Sequence, residues 1–314
     1  MTVYVLRRLT AGLVLAVLVT MITFLLLSTS FDDVASSILG SGATPKQLVA
    51  QKAQMGLDRP LFTQYLDWLS HAVRGDLGAS YFTSEPVRSA ITARLGVTLS
   101  IVVVALLATS VISVALGVAA AARGGAVDRF AQGAAMIGYL VPSLLVAIAL
   151  VYVFAVKLHV FPATGYTDFS ESPTRWASSI AIPVVALMMG GVASLTSQIR
   201  GAMIGELRKD YVRTLRTRGI PTRSIVLRHA LRNAAGPALT VLSLEFIQML
   251  GGALIIEQIF ALPGFGQYAF NASLQGDVPI IMGISLFGVL LVVVVNLVVD
   301  LLNGWLNPKA RIVS

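Results

Sequence analysis

The sequence predicts an all-α polytopic membrane protein with six transmembrane helices, and three observations carry that expectation. Of 314 residues, 56% are hydrophobic and 12% charged, with a mean hydropathy of +0.82, a balance that excludes an ordinary soluble domain. Apolar runs long enough to cross a hydrocarbon core of about 30 Å recur along the chain. Fifteen Lys and Arg fall in segments assigned to the inner side and eight in segments assigned to the outer side, the bias expected when basic residues near span ends stay in the cytoplasm. The formal charge of +8 therefore reports topology, and no aromatic-basic interleaving of a nucleic-acid binder accompanies it. Without cysteine the chain has no disulfide or thiolate metal site, and its redox compartment stays open.

Residues 1–30 form the N-terminal span. The run from Leu9 to Leu27 follows Arg7-Arg8 and imitates a signal peptide, but its apolar stretch is too long for one. Ser28-Thr29-Ser30-Phe31-Asp32 offers no convincing small-x-small cleavage site, so a retained span with its N-terminus inside is expected. Residues 31–97 turn polar and mixed, an extracytoplasmic region too long for a simple connection. Within it Leu61, Phe62, Tyr65, Leu66 and Leu69 fit one face of an amphipathic helix lying on the membrane or packed on the spans. That leaves Asp58, Arg59, Asp67 and Asp76 as candidates for docking a soluble partner. Ser84 can cap a further short helix, with Pro86 in its first turn.

Residues 98–314 carry the other five spans. Thr98 to Ala122 runs inward, and Gln132 to Val156 returns after the basic turn 123–129. Pro142 lies inside that third span, removes one backbone hydrogen bond and should kink the helix, as a packing feature or as part of a gate. Ser178 to Ile199 then runs inward, with Gly190-Gly191 allowing another helix to approach closely. The fifth span is expected at about Pro237 to Phe260, the sixth at about Pro279 to Asn303, and the C-terminus inside.

Between spans four and five lies a cytoplasmic loop, 200–236, with nine Lys and Arg. Leu207, Tyr211 and Leu215 recur every fourth residue, on one face of a helix, with Arg208, Lys209, Arg213 and Arg216 mostly around the others. Gly219 interrupts the pattern, Pro221 or Thr222 can start a second helix, and Leu227, Ala230, Leu231 and Ala234 resume helical spacing. Such a loop either lies on anionic lipid or docks a cytosolic partner, and helix, break, helix favours docking.

Catalysis finds little support. The phosphate-binding Gly-x-x-x-x-Gly-Lys-Ser/Thr sequence is absent, and His71, His159 and His229 lie in separate segments without metal-ligand spacing. The acids at membrane depth are Glu245, Glu257 and Asp300. Charge at depth costs at least about 2.5 kcal/mol on insertion scales, so these groups should face protein or water. Glu245 lies deeper, roughly 12 Å from its helix start at the usual rise per residue. It is the better candidate for a translocation pathway. Glu257 lies near the outer surface and suits a structural hydrogen bond or substrate contact; with Pro142 it completes the candidate pathway set.

The run Asp210-Tyr211-Val212-Arg213-Thr214-Leu215-Arg216-Thr217-Arg218-Gly219, followed by Arg228-His229-Ala230-Leu231-Arg232-Asn233 and Pro237, resembles the coupling loop of ABC-importer permeases of the dipeptide and oligopeptide class. In that family the loop carries Glu-Ala-Ala, three residues, then Gly, and its short helix sits in a cleft of the ATPase subunit. This chain keeps Gly219 and has Arg213-Thr214-Leu215 in place of Glu-Ala-Ala. Met55-Gly56-Leu57-Asp58-Arg59-Pro60-Leu61, Gly75-Asp76-Leu77-Gly78-Ala79-Ser80, Ile255 to Gly266 and Asp277-Val278-Pro279 resemble the same family.

The resemblance implies a type I ABC-importer permease fold with a structured region between spans one and two. It points to ATPase contacts at Arg213, Thr214, Leu215, Arg216, Arg218, Gly219, Ile220, Arg223 and Arg228. The implied partners are a homologous second permease subunit, two ATPase subunits, an extracytoplasmic substrate-binding protein and membrane lipid, with no nucleic acid. ATP and Mg would sit on the ATPases, and this chain would hold no cofactor or metal and catalyse nothing. The setting is the plasma (inner) membrane of a bacterium or archaeon, with both termini cytoplasmic. The cargo would be a dipeptide or oligopeptide; nickel, glutathione or haem on the same permease type are alternatives. An ion-coupled secondary transporter would need internal repeats and clustered midplane polar residues, and of these only Glu245 is well placed.

Overall fold

The computed structural model describes residues 2–40 and 42–306. Lys309 and Arg311, and with them the expected inner C-terminus, lie outside the described residues. Apart from an isolated bridge between Ala79 and Pro86, the regular structure among the described residues is helical. In order the helices are α1 (Thr2–Ser28), α2 (Phe31–Leu39), α3 (Pro45–Gln54), α4 (Leu61–Val73), α5 (Val87–Arg123), α6 (Gly125–Leu140) and α7 (Ser143–Leu150). They continue with α8 (Pro173–Leu207), α9 (Asp210–Thr217), α10 (Thr222–Ser224), α11 (Leu231–Ile259), α12 (Phe265–Gln275) and α13 (Val278–Leu306). A π-helical turn, Val151–Lys157, prolongs α7, and another, Ile225–Ala230, joins α10 to α11.

Five helical segments are long and apolar enough to cross a membrane: Val5–Ser28, Val87–Arg123, Pro173–Leu207, Thr222–Ile259 and Val278–Trp305. The sixth apolar segment is α6 with α7, bent by 96°. Proline drives the residue before it out of the helical region. Val141 is accordingly extended, with ψ of 117°, and Pro142 precedes α7 as its first flanking residue. The kink expected inside the third span is thus a complete break.

Helix ends also differ from the apolar boundaries. α5 starts at Val87 rather than Thr98, absorbing the short helix expected after Ser84; Ser84 itself sits at φ +58° in the preceding turn. The fifth span starts at Thr222, so Pro237 falls inside α11.

The chain divides into two compact units. One takes residues up to Val97 together with Pro263–Val293. Its first core joins Phe24, Phe31, Val34, Tyr65, Val278 and Met282, and its second joins Leu77, Val87, Ile91, Phe265, Ala272 and Ile280. The Tyr65 hydroxyl donates to the Val17 carbonyl at 3.0 Å, which ties α4 to α1. Gln64 and Tyr65 are buried with Trp68 and Leu69 packed nearby, whereas Leu61, Phe62 and Leu66 are 40%, 66% and 46% exposed. Of the expected apolar face, Tyr65 and Leu69 are packed and Leu61, Phe62 and Leu66 are left exposed, while the buried Gln64 donates to the Arg59 carbonyl at 2.7 Å. Two helices not foreseen, α2 and α3, complete this region; α3 opens on a reciprocal capping box between Thr44 and Gln47 with Pro45 in the first turn.

Ahead of α13, Asp277 is fully buried and accepts from the Ser80 hydroxyl at 2.5 Å and the Tyr81 N–H at 3.3 Å. Burial pushes its carboxyl above the ordinary value of 3.8, against the opposing effect of those donors. A carboxyl raised on folding contributes stability that is present below the ordinary value and lost as pH rises through the raised one. Amide protection around 76–84, corrected for intrinsic exchange, should therefore fall as pH rises from about 3.8 toward neutrality, and Asp277→Asn should flatten that slope. Protection that rises with pH in the unsubstituted chain would contradict this role.

The second unit takes Thr98–Leu262 together with the residues from Val294 onward. Its core joins Val118, Leu195, Ile199, Met203, Val226, Ala230 and Ala234, which binds α5, α8 and the start of the fifth span. Close approach needs small residues. A Cβ on Gly117 would stand 2.9 Å from Ile199 Cγ2 and 3.0 Å from the Thr196 carbonyl oxygen. Of the expected Gly190-Gly191 pair only Gly191 makes such a contact, against Glu245 Oε2, Met249 and Thr109.

Candidate functional site

The basic segment after α8 is a short helix held by its buried side. α8 runs to Leu207, the chain turns through Arg208 and an extended Lys209, and α9 begins at Asp210. Leu207 therefore does not share a helix with Tyr211 and Leu215, as the fourfold spacing had suggested. Glu206 sets the turn: only 9% exposed, it takes the Lys209 ammonium and the Tyr211 hydroxyl, the latter at 3.0 Å. Asn233 of α11 donates to the Tyr211 oxygen at 3.3 Å, so one phenol links three helices. The Glu206 carboxylate holds the Lys209 ammonium above its usual range, while burial raises the Tyr211 phenol against the lowering effect of Asn233. Val212 is fully buried, and α9 packs against the Ile225–Ala230 turn.

The outer surface carries most of the expected contact residues. Arg213, Thr214, Arg216, Arg218, Gly219, Arg223 and Arg228 are exposed, and Leu215 and Ile220 are half-buried. α9 ends in a left-handed glycine turn: Gly219 has φ of 75°, its N–H bonds the Arg216 carbonyl at 3.0 Å, and the Ile220 N–H bonds the Leu215 carbonyl at 3.2 Å. This is the Schellman pairing, which satisfies two carbonyls at the helix end and brings Ile220 toward Leu215. The second helix expected after the break is continuous through the π turn with the fifth span, so α9 is a finger mounted on two spans, with its basic side facing outward.

The candidate pathway residues lie apart. Glu245 and Glu257 share α11 but are separated by about 18 Å at the usual helical rise. Glu257 is wholly buried and accepts from the Thr98 hydroxyl. Glu245 is 4% exposed with its carboxylate over Gly191, Pro142 stands at the break between α6 and α7, and Asp300 is half-buried in α13. In the other unit, Arg59, Asp67 and Asp76 line a cleft of about 270 Å³ with His71 and Tyr81. Asp67 pairs with Arg59 at 3.1 Å, Asp76 accepts from the Gly78 N–H at 2.9 Å, and Asp58 is exposed. Sequence reasoning did not single out Glu206, Val212 or Asn233, and the first of these carried a signal, an acid three residues before Lys209.

Residues 113–312 match the family described as binding-protein-dependent transport system inner membrane component, and residues 1–102 match the N-terminal family of the same membrane components. The chain is 36% identical over 312 residues, 99% of each chain, to a permease of Brucella abortus (strain 2308) named for a peptide transport system. It is 35% identical over 312 residues, 99% of this chain and 100% of the other, to a permease of Sinorhizobium fredii named for a peptide ABC transporter. It is also 31% identical over 313 residues, 98% of each, to the metal-staphylopine import system permease of Staphylococcus aureus (strain Mu50).

Proposed function

The chain belongs to the family of binding-protein-dependent transport system inner membrane components, and from that premise we propose that it is the permease subunit of an ATP-driven importer of peptides. The observation that carries the peptide assignment is its similarity, along 99% of both chains, to permeases named for peptide transport. The Staphylococcus aureus relative, at 31% identity, favours a second reading in which the same permease type carries a metal complex. Uptake of labelled peptide by vesicles holding the assembly, challenged by unlabelled peptide and by metal complexes, separates the two readings. Competition by peptides alone is the expected result.

In this arrangement both termini and 200–236 face the cytoplasm, and 31–97 faces outward. The exposed side of α9 meets an ATPase subunit, where ATP and Mg are held, and this chain makes no covalent bonds. A second, homologous permease completes the pathway. It would cover part of the apolar surface of α6 and α7, where Phe130, Ile137, Leu145 and Ile148 are exposed, with lipid covering the rest. A substrate-binding protein docks at the surface around Asp58, Arg59, Asp67 and Asp76.

Glu245 is the acid proposed to face the pathway. Glu245→Gln should lower uptake by roughly tenfold, the equivalent of about 1.4 kcal/mol in a rate. Glu257→Gln should lower it far less, since the amide still offers an oxygen to the Thr98 hydroxyl. Near-normal uptake by both, at matched expression, would remove Glu245 from the pathway.

A further inference from the structure

Within the second unit, α6 and α8 line an open cleft of about 490 Å³ that neither α9 nor the acids of α11 line, and that reaches the basic loop only at its first residue, Arg200. Its polar wall includes Gln132, Ser197, Gln198 and Arg200, and Arg200 is the charged residue among those lining it. The Arg200 guanidinium grips Asp128 through two nitrogens, Nε to Oδ1 and Nη2 to Oδ2, the second at 2.6 Å. Neither side chain is sealed off, with 25% of Arg200 and 19% of Asp128 exposed. Thr196, also in the wall, keeps a buried hydroxyl with no hydrogen-bond partner among the described residues.

We propose that this cavity binds the carboxylate end of the transported peptide, which takes Arg200 over from Asp128. This rests on the peptide-import reading and assigns that reading a site. A guanidinium fork matches a carboxylate in a two-point geometry that few other groups satisfy. Asp128 already displays that geometry, so an arriving carboxylate replaces one bidentate acceptor by another at Arg200, and the released Asp128, still open to solvent at 19% exposure, keeps the Gln132 amide as a donor at 3.2 Å. The Gln198 amide and the exposed Ser197 hydroxyl can meet peptide N–H and C=O groups without reading side chains. Met136 and Leu140 give the rest of the wall an apolar surface tolerant of varied side chains. The guanidinium selects an anion, so the carboxyl end of the peptide, rather than its amino end, is the partner for Arg200.

A purely structural ion pair and an exchangeable one respond differently to loss of each partner. Removing either member of a structural pair weakens the same packing. In the exchange, losing Asp128 frees Arg200 and should tighten carboxylate binding, whereas losing Arg200 should abolish it.

The chain has no cysteine, so Ser197→Cys gives it a single thiol at an exposed position in the cavity wall. Alkylation of that thiol, read by mass on this chain in the purified assembly, should slow several-fold with trialanine and much less with trialaninamide. Asp128→Asn should lower the trialanine concentration needed for protection, and Arg200→Gln should erase the difference between the two peptides. Equal protection by the two peptides, protection by neither, or a shift in the same direction in both variants overturns the inference. If the unsubstituted assembly accumulates peptide with ATP while protection is absent, the carboxylate site fails and the peptide-permease reading stands. Failure of that assembly to accumulate peptide counts against the reading itself.

Discussion

Gly219→Val should abolish ATP-driven uptake while the protein still inserts in the membrane. Gly219 is exposed and a Cβ there would meet nothing within 4 Å, so the penalty is one of backbone conformation alone. Its φ of 75° lies in the left-handed region, where an L-residue costs roughly 1–2 kcal/mol and a β-branched one more. Relieving that strain gives up the Gly219 and Ile220 N–H bonds that close α9. The chain then leaves the helix in another direction, and the basic side of α9 no longer points where a cytosolic partner would receive it. Asn tolerates the left-handed region, so Gly219→Asn should keep most of the uptake and Gly219→Ala an intermediate share. Normal uptake by the valine variant, at matched membrane levels, would remove Gly219 from the coupling mechanism.

Val212→Asp should have an effect of similar size by a different route. α9 has eight residues, too few to hold a helix in water without tertiary support. Its support is Val212, fully buried, and the Glu206–Tyr211–Asn233 chain of hydrogen bonds. An unpaired carboxylate in place of Val212 either stays buried at a cost of several kcal/mol or pulls the finger off the Ile225–Ala230 turn. Uptake should be lost, and proteolysis within 208–220 should accelerate, while the spans remain resistant. Val212→Ile should be mild. Coupled transport by the aspartate variant would mean that α9 can work detached from its seat.

The spans were legible because composition alone decides which segments lipid will accept. Their ends were not, because a helix does not stop where its apolar run stops: polar residues 87–97 and 222–236 stay helical beyond the apolar stretch. Gly219 was legible because a break in a helical pattern at glycine has one common physical meaning. The register of Leu207, Tyr211 and Leu215 was misread because the break at Arg208–Lys209 is set by the grip of Glu206, a tertiary effect that periodicity does not carry. The capping box at Thr44 and Gln47 was visible in the sequence and would have placed α3. Pairs such as Ser80 with Asp277 and Thr98 with Glu257 join residues 197 and 159 positions apart, and no local pattern links them. Asp128 and Arg200 are 72 apart, and each reads singly as an ordinary flanking charge.

The central claim is that the exposed side of α9 delivers the force of ATP binding to the spans. Thr214 is exposed on that side, and in a chain without cysteine Thr214→Cys places a single thiol there. A short thiol-reactive photo-crosslinker on that cysteine should join this chain to a co-purifying ATPase subunit, in a yield that changes when ATP is added. Co-purification of the ATPase with crosslinks from Thr214→Cys to lipid alone, with and without ATP, would contradict it.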